Sequence, residues 1–254
     1  MTHYLLVRET PSTNTYLKSL AATLPSGTVV YTHRQTAGRG QKGNSWEADP
    51  GKNLTFSMLI KRPSIPVREQ FAICEAVSIA IVETVRKVVE DYEISQRVKV
   101  KWPNDIYCGD YKLCGILIEN SLDSEGIAHS VIGVGLNVNQ ATFMSDAPNP
   151  VSLCQLAGHD FELDDLLHAL CERIEQLCDF SNEATRNALH DQYLHSLYRA
   201  DGKPHTFALP DGTQFAATIV TVEPDGMLVL RTDSGGTLRF AFKEVKHVIN
   251  DIDL

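Results

Sequence analysis

Apolar positions along the first two-thirds of the chain recur with two periods, and each change of period marks an element. Over residues 13–24, Tyr16, Leu17, Leu20 and Leu24 share one helical face, with Ser12 or Thr13 available to cap the first turn. Gly27 opens a β-branched run, residues 28–32, that reads as a buried strand. A polar, glycine-rich stretch, residues 35–52, separates it from a further strand candidate at residues 53–60. Pro66 starts a long helix in which Phe71, Cys74, Val77, Ile81, Val85 and Val88 keep helical spacing. Strands are expected at residues 98–102, 105–108, 112–120 and 129–138. Residues 163–197 are helical by periodicity, with a break near Ser181 and Asn182.

After Arg199 the texture changes. Residues 204–248 carry short alternating strands punctuated by Asp211-Gly212, Asp225-Gly226 and Gly235-Gly236, the signature of a small β-barrel or meander. The expected boundary lies at residues 200–203, and a length of 254 residues suits two unequal domains. Acidic residues outnumber basic ones 32 to 23, a net charge of −9 that weighs against non-specific binding to nucleic acid or anionic membranes. No apolar run approaches the roughly 20 residues of a membrane span, and the N-terminal stretch lacks the features of a signal peptide. A soluble cytoplasmic protein is expected. The six cysteines form no CxxC pair and no zinc-like spacing, so they read as reduced core thiols.

Four features carry chemistry. Gly38-Arg39-Gly40-Gln41-Lys42-Gly43 combines glycines, which let a ligand approach the backbone, with two cations suited to carboxylate or phosphate. It is neither a Walker loop nor a dinucleotide fingerprint, and a flexible surface loop is the plain alternative. Lys101-Trp102-Pro103-Asn104-Asp105 places a lysine, an amide and a carboxylate at a strand end, where Asn104 and Asp105 suit hydrated Mg²⁺ and a nucleotide; a capped turn with an exposed ion pair is the alternative. Lys112 shares an edge with Asp105 if a hairpin closes at Gly109-Asp110. Gly133-Val134-Gly135-Leu136-Asn137-Val138-Asn139 sets two glycines in an apolar strand, the mark of a bulge or a close ligand approach. Its two asparagines either read an adenine or cap the next loop.

The ordered set S-T-N, Q-x-x-G-R-G-x-x-G, K-W-P-N-D, K-L-x-G-I-L-x-E and G-x-G-x-N-V-N, running from Ser12 to Asn139, closely resembles the biotin protein ligases. That resemblance implies an α+β fold: a mixed β-sheet flanked by helices, like the class II aminoacyl-tRNA synthetases and biotin synthetases, in residues 1–199, and a small SH3-like β-barrel in residues 200–254. It implies ATP-dependent formation of biotinyl-5′-AMP and transfer of biotin to a lysine of a biotin carboxyl-carrier domain, with ATP and biotin as substrates and Mg²⁺ as the metal. The family pattern puts Ser12, Thr13, Asn14 and Gln35 at the ureido head of biotin, and Gly38, Arg39, Gly40 and Gln41 in the loop that closes over it. Trp46 matches an aromatic wall of the closed site. Lys112 matches the lysine that holds the biotin carboxylate and then the acyl-phosphate oxygens, so Lys112, Arg39 and Asp105 form the catalytic set. Lys42, Lys101, Asn104 and Asn137 fall on the nucleotide side with Arg39, Trp46, Asp105 and Lys112. Asp105 is also the metal position, and Gly115 and Gly135 would admit the ligand close to the sheet.

Two departures stand out. Gln41 and Asn44 occupy positions where many relatives carry arginine, so this loop is less cationic. The S-T-N motif begins at residue 12, which leaves no room for the N-terminal helix-turn-helix of bacterial repressor-ligases, and a monofunctional ligase without DNA binding is expected. Homologous ligases include monomers and homodimers, and both remain open. The rival readings are a lipoate or octanoate ligase or transferase, whose members lack the G-R-G-x-x-G and K-W-P-N-D pair, and a non-catalytic biotin sensor.

Overall fold

The computed structural model describes residues 2–41, 43–144 and 149–249. The chain enters on β1 (His3–Leu6) and β2 (Glu9–Thr10), then turns into α1 (Thr13–Leu20). Ser12, in extended backbone, caps α1 by accepting the Thr15 N–H. The helix stops four residues before Leu24, because Pro25 biases the residue before it away from helical geometry. Leu17 is buried as expected, whereas Tyr16 faces solvent at 39% exposure.

Strands β3 (Thr28–Tyr31), β4 (Arg34–Gln35) and β5 (Leu54–Lys61) follow. Pro66 opens a 3₁₀ turn, Val67–Glu69, and the long helix α2 (Phe71–Val88) begins only after it. A short helix that periodicity did not reveal, α3 (Tyr92–Arg97), is capped by Asp91 and leads into β6 (Val98–Lys101). Next come β7 (Asp105–Cys108), β8 (Tyr111–Asp123) and β9 (Gly126–Leu136). The β7–β8 turn at Gly109 has φ +58°, as expected of a hairpin there. Helix α4 (Leu153–Ala157) begins with a Ser152/Gln155 capping box and ends on Gly158 in the left-handed region. The predicted long helical segment is two helices, α5 (Leu163–Leu177) and α6 (Glu183–Ser196), with Asn182 capping the second.

Among the described residues, seven strands form a mixed sheet in the order β1-β3-β5-β9-β8-β7-β6, parallel between β1 and β3 and antiparallel elsewhere. Strand β5 is buried on both sides, so it reads as a continuous apolar run. On one face, Phe56, Met58 and Ile132 pack into the large core with α2 and α5. On the other, Leu59 and Val131 meet Leu17 and Ala21 of α1 and the stretch just after it. Helix α1 covers only part of that second face, and what it leaves open becomes the floor of a cavity.

The remaining strands, β10 (His205–Ala208), β11 (Gln214–Val222), β12 (Leu228–Thr232), β13 (Thr237–Phe240) and β14 (Lys246–His247), make an antiparallel five-stranded sheet ordered β13-β12-β11-β10-β14. Gly212, Gly226 and Gly235 have positive φ, so the turn dipeptides lie where the sequence placed them. The stretch leading to this sheet is held by Tyr198 N–H to the Val100 carbonyl (2.8 Å), and the sheet docks through Arg199 Nη1 to the Val248 carbonyl (2.9 Å) and Trp102 Nε1 to the Gly226 carbonyl (2.9 Å). Its inner residues, among them Phe207, Leu228 and Leu230, are continuous with the large core. The six cysteines are free thiols, all buried except the half-buried Cys154. No helix among the described residues is long and apolar enough to cross a membrane.

Candidate active site

Register builds the floor. One cross-strand row aligns Thr55 of β5, Gly135 of β9, Gly115 of β8, Asp105 of β7 and Lys101 of β6. The next row aligns Ser57, Gly133 and Leu117. These positions alternate with the apolar ones that face α2, so the same period that buries the core sends glycines and hydroxyls to the α1 face. Above them lies a cavity of about 270 Å³.

The glycines are required by close approach. A Cβ on Gly133 would fall 2.2 Å from Asn14 Oδ1, and one on Gly135 would fall 2.3 Å from the Trp46 indole; at Gly115 the same ring would lie 3.0 Å away. Trp46 therefore lies against the sheet at two of the three glycines, and its indole N–H has no partner among the described residues. The S-T-N segment enters the cavity from α1. The Thr13 N–H donates to Gln35 Oε1 at 2.9 Å, and Ser57 Oγ lies 2.7 Å from Thr13 Oγ1. Asn14 is committed to the fold: its Nδ2 donates to the Leu117 carbonyl and Glu119, and its Oδ1 accepts from Ser57.

The glycine-rich loop arches over this floor as a small hairpin. Arg39 and Ser45 form an antiparallel bridge, Gly40 N–H donates to the Asn44 carbonyl at 2.7 Å, and Trp46 N–H donates to the Gly38 carbonyl at 3.0 Å. Gly38 underpins the arch, since a Cβ there would meet the Trp46 carbonyl at 2.3 Å. Arg39, Gly40 and Gln41 line the cavity; Lys42 lies outside the described residues.

At the far end of the floor, Lys112 Nζ sits 2.7 Å from Asp105 Oδ1, and both side chains are mostly buried. Lys112 also lies 5.8 Å from the centre of the Trp46 ring. The Trp102–Pro103 bond is cis, and Asn104 donates to the Ile116 carbonyl at 2.6 Å, which fixes the turn on β8. Burial, helped by the charges of Lys112 and Arg199 against that of Asp105, holds the Lys101 ammonium below its ordinary range. Its ammonium lies 4.9 Å from the centre of the Tyr107 ring. Asn137 is placed elsewhere. Strand β9 ends at Leu136, and the Asn137 amide donates to the Val151 carbonyl, away from the cavity lining. Asn139 likewise exchanges two bonds with the Phe161 backbone, so both asparagines hold the following loop.

Residues 6–137 match the model of the biotin/lipoate A/B protein ligase family. The chain belongs to that family. Among biotin/lipoate ligase relatives, the bifunctional ligase/repressor BirA of Bacillus subtilis is 25% identical over 83% of this chain and 63% of its own length. BirA of Escherichia coli is 37% identical over 50% of this chain and 38% of its own length. The chain thus spans less than two-thirds of these first relatives. The biotin–[acetyl-CoA-carboxylase] ligase of Mycobacterium tuberculosis is 28% identical over 91% of this chain and 83% of its own length. The fold matches the biotin protein ligase of Aquifex aeolicus in complex with biotin and ATP, with a TM-score of 0.79 at 20% identity over 98% of this chain and all of that one.

The family motifs all lie in the part of the chain before the five-stranded sheet, yet the cavity has a second wall. Phe207, Leu228, Lys246 and His247 from the five-stranded sheet, and Phe242 and Lys243 from the turn between β13 and β14, line it too. His247 is 8% exposed and neither ring nitrogen has a partner among the described residues. Burial first, then the charges of Lys101, Arg199 and His205, pushes its imidazole down to about 3, so it stands neutral in the cavity wall. No sequence signal marked this histidine, because it is a single residue on a two-residue edge strand.

Proposed function

We propose that this chain is a biotin protein ligase that activates biotin with ATP and transfers it to a lysine of a carrier domain. One observation carries the reading. A narrow cavity has hydroxyl and amide groups at one end (Ser12, Thr13 and Gln35), a glycine floor along its length, Lys101 and Lys112 toward the other, and Arg39 on the loop above. The polar end offers the donors and acceptors that a ureido ring requires. The flat glycine floor leaves room for an aliphatic chain, and the cationic end suits a carboxylate meeting a triphosphate. Arg39, Lys101, Lys112, Lys243 and Lys246 line the cavity against the lone acid Asp105 among the described residues, so the local charge is opposite in sign to the chain's −9.

In the first step, a carboxylate oxygen of biotin attacks the α-phosphorus of ATP and the bond to pyrophosphate breaks. Lys112 brings carboxylate and phosphate together and stabilises the charge on the shared oxygens, held in place by Asp105. In the second, a neutral lysine amine attacks the acyl carbon, AMP leaves with the bonding pair, and the amine gives up its proton. Mg²⁺ fits here as part of the nucleotide substrate: the described residues hold no cluster of three candidate ligands, and Asp105, already paired with Lys112, is too little to cage an ion. We assign Lys101 and His247 to the nucleotide side, Gly115 and Gly135 to the biotin side, and Asn137 to support of the adjoining loop. In this reading residues 1–199 form the catalytic domain and the C-terminal sheet is the SH3-like barrel of the family. The carrier is a biotin carboxyl-carrier domain, matching the acetyl-CoA-carboxylase named for the mycobacterial relative.

The test is ATP–pyrophosphate exchange with biotin, lipoate or neither, followed by labelling of a purified carrier domain. Biotin-dependent exchange and carrier labelling are expected. Exchange driven by lipoate alone would move the chain to the lipoate branch, and biotin binding without exchange would make it a sensor.

A further inference from the structure

Glu119 lies outside the cavity lining, yet three side chains, two from α1 and one from the glycine-rich loop, converge on it. It stands on β8 opposite Val131, on the face that carries α1. Its Oε2 accepts from Asn14 Nδ2 at 3.0 Å and from Arg39 Nη2 at 3.1 Å, and its Oε1 accepts from Lys18 Nζ at 3.2 Å. Burial would raise this carboxyl, but the hydrogen bonds from Asn14 and Lys18 and the charge of Arg39 prevail and hold it below its ordinary range. It is the carboxylate partner of Arg39, the one described cation of the glycine-rich loop.

The loop has reason to need such a tether. Three glycines in six residues make it costly to order, and Gln41 and Asn44 contribute no charge toward an anionic ligand. Arg39 uses one terminal nitrogen on Glu119, and no hydrogen bond of its Nε or Nη1 is found among the described residues. A guanidinium offers five donors in a rigid fork, so it can keep Glu119 on one edge and present another to a phosphoryl oxygen.

We propose that Glu119 is the positioning residue that holds Arg39 over the cavity before the nucleotide arrives, so that the loop closes on biotinyl-adenylate with its cation already placed. This rests on the ligase reading for the adenylate, while the tether itself belongs to the ligand-free protein. Glu119 acts through Arg39, and its removal should weaken retention of the anionic intermediate while sparing biotin alone.

Glu119→Gln separates these roles, because the amide oxygen still accepts from Asn14 while the charge toward Arg39 is gone. In the ligand-free protein, backbone amides of residues 38–46 should exchange with deuterium about three- to fivefold faster, the scale of a half-exposed ion pair. Bound biotinyl-5′-AMP should escape faster by about the same factor, with the Kd for biotin alone within about twofold of wild type. The double variant Arg39→Ala/Glu119→Gln should lose adenylate no faster than Arg39→Ala, since residues acting as a unit are non-additive. Unchanged exchange in the loop, or fully additive losses in the double variant, overturns the proposal. A wild-type protein that forms no adenylate overturns the ligase reading instead, and the deuterium exchange still decides the tether.

Discussion

The two walls of the cavity are made in opposite ways. The first sheet contributes a floor by register: Thr55, Gly135, Gly115, Asp105 and Lys101 come from five strands, line up across them, and leave a flat channel because two lack side chains. The five-stranded sheet contributes single side chains, Phe207 and His247 among them, from strand ends and an edge. A floor made by register tolerates little change, because each position is fixed by its neighbours. A wall of separate side chains can be altered one residue at a time. The first wall should therefore govern chemistry and the second should tune it.

The sharpest break of that comparison is Lys112→Ala. Losing a positioned cation from the reacting oxygens should cut biotin-dependent pyrophosphate exchange by about 10²–10³-fold, the scale of a lost oxyanion donor, with folding intact by circular dichroism. Near-normal exchange would remove Lys112 from the catalytic role. Gly135→Val comes next. Its side chain would occupy the space of the Trp46 indole, and the overpacking should cost on the order of 1–3 kcal/mol in biotin affinity by titration calorimetry. Unchanged affinity would mean that the ring moves aside freely and that the floor is not built to shape.

His247→Ala tests the other wall. If its neutral imidazole donates to the phosphate chain, KM for ATP should rise about ten- to a hundredfold, the value of one hydrogen bond to a charged group, with biotin affinity unchanged. An unaltered KM would leave this wall as scaffold alone.

The smallest effects are in pH dependence, where two histidines oppose each other. The Glu75 hydrogen bond is the main cause that raises the half-buried His190 above its ordinary range, so the stability it contributes is complete below that range and is lost as pH rises through the raised value. His247, pushed down to about 3, behaves in reverse: its contribution is present above the ordinary histidine range and fades as pH falls below it. Thermal melts between about pH 4 and pH 9 should show a flatter alkaline limb for His190→Gln and a flatter acid limb for His247→Phe. Parallel curves for all three proteins would contradict the assignment.

The same contrast explains what the sequence revealed. The floor and the loop above it were legible because their residues sit in punctuated loops and strand ends, such as Gly38 to Gly43 and Lys101 to Asp105, where glycine, proline and charge cluster within a few positions. Lys112 could be placed beside Asp105 because Gly109 announced the hairpin between them. Helices α3 and α4 were missed because six and five residues are too few to express a period. Asn137, which the family pattern puts on the nucleotide side, lies one residue past the end of β9 at Leu136 and bonds to Val151, the loop-capping alternative that the sequence also left open. His247 carried no local signal, and Glu119 closes the K-L-x-G-I-L-x-E motif without showing what it does there, since each gains its meaning from partners that lie far away in the chain.

The Trp102 indole, bound to the Gly226 carbonyl, has a consequence for building chimaeras. Gly226 sits at φ +90° with the Phe71 ring against it, at 2.7 Å from where a Cβ would be, so the hairpin tip fits its seat only as glycine. A C-terminal sheet transplanted from a relative would have to bring a tip of the same length and the same residue. Without it, the active-site turn would lose an anchor that belongs to neither parent's catalytic motif, and the hybrid would fail for reasons an alignment of those motifs could not foresee.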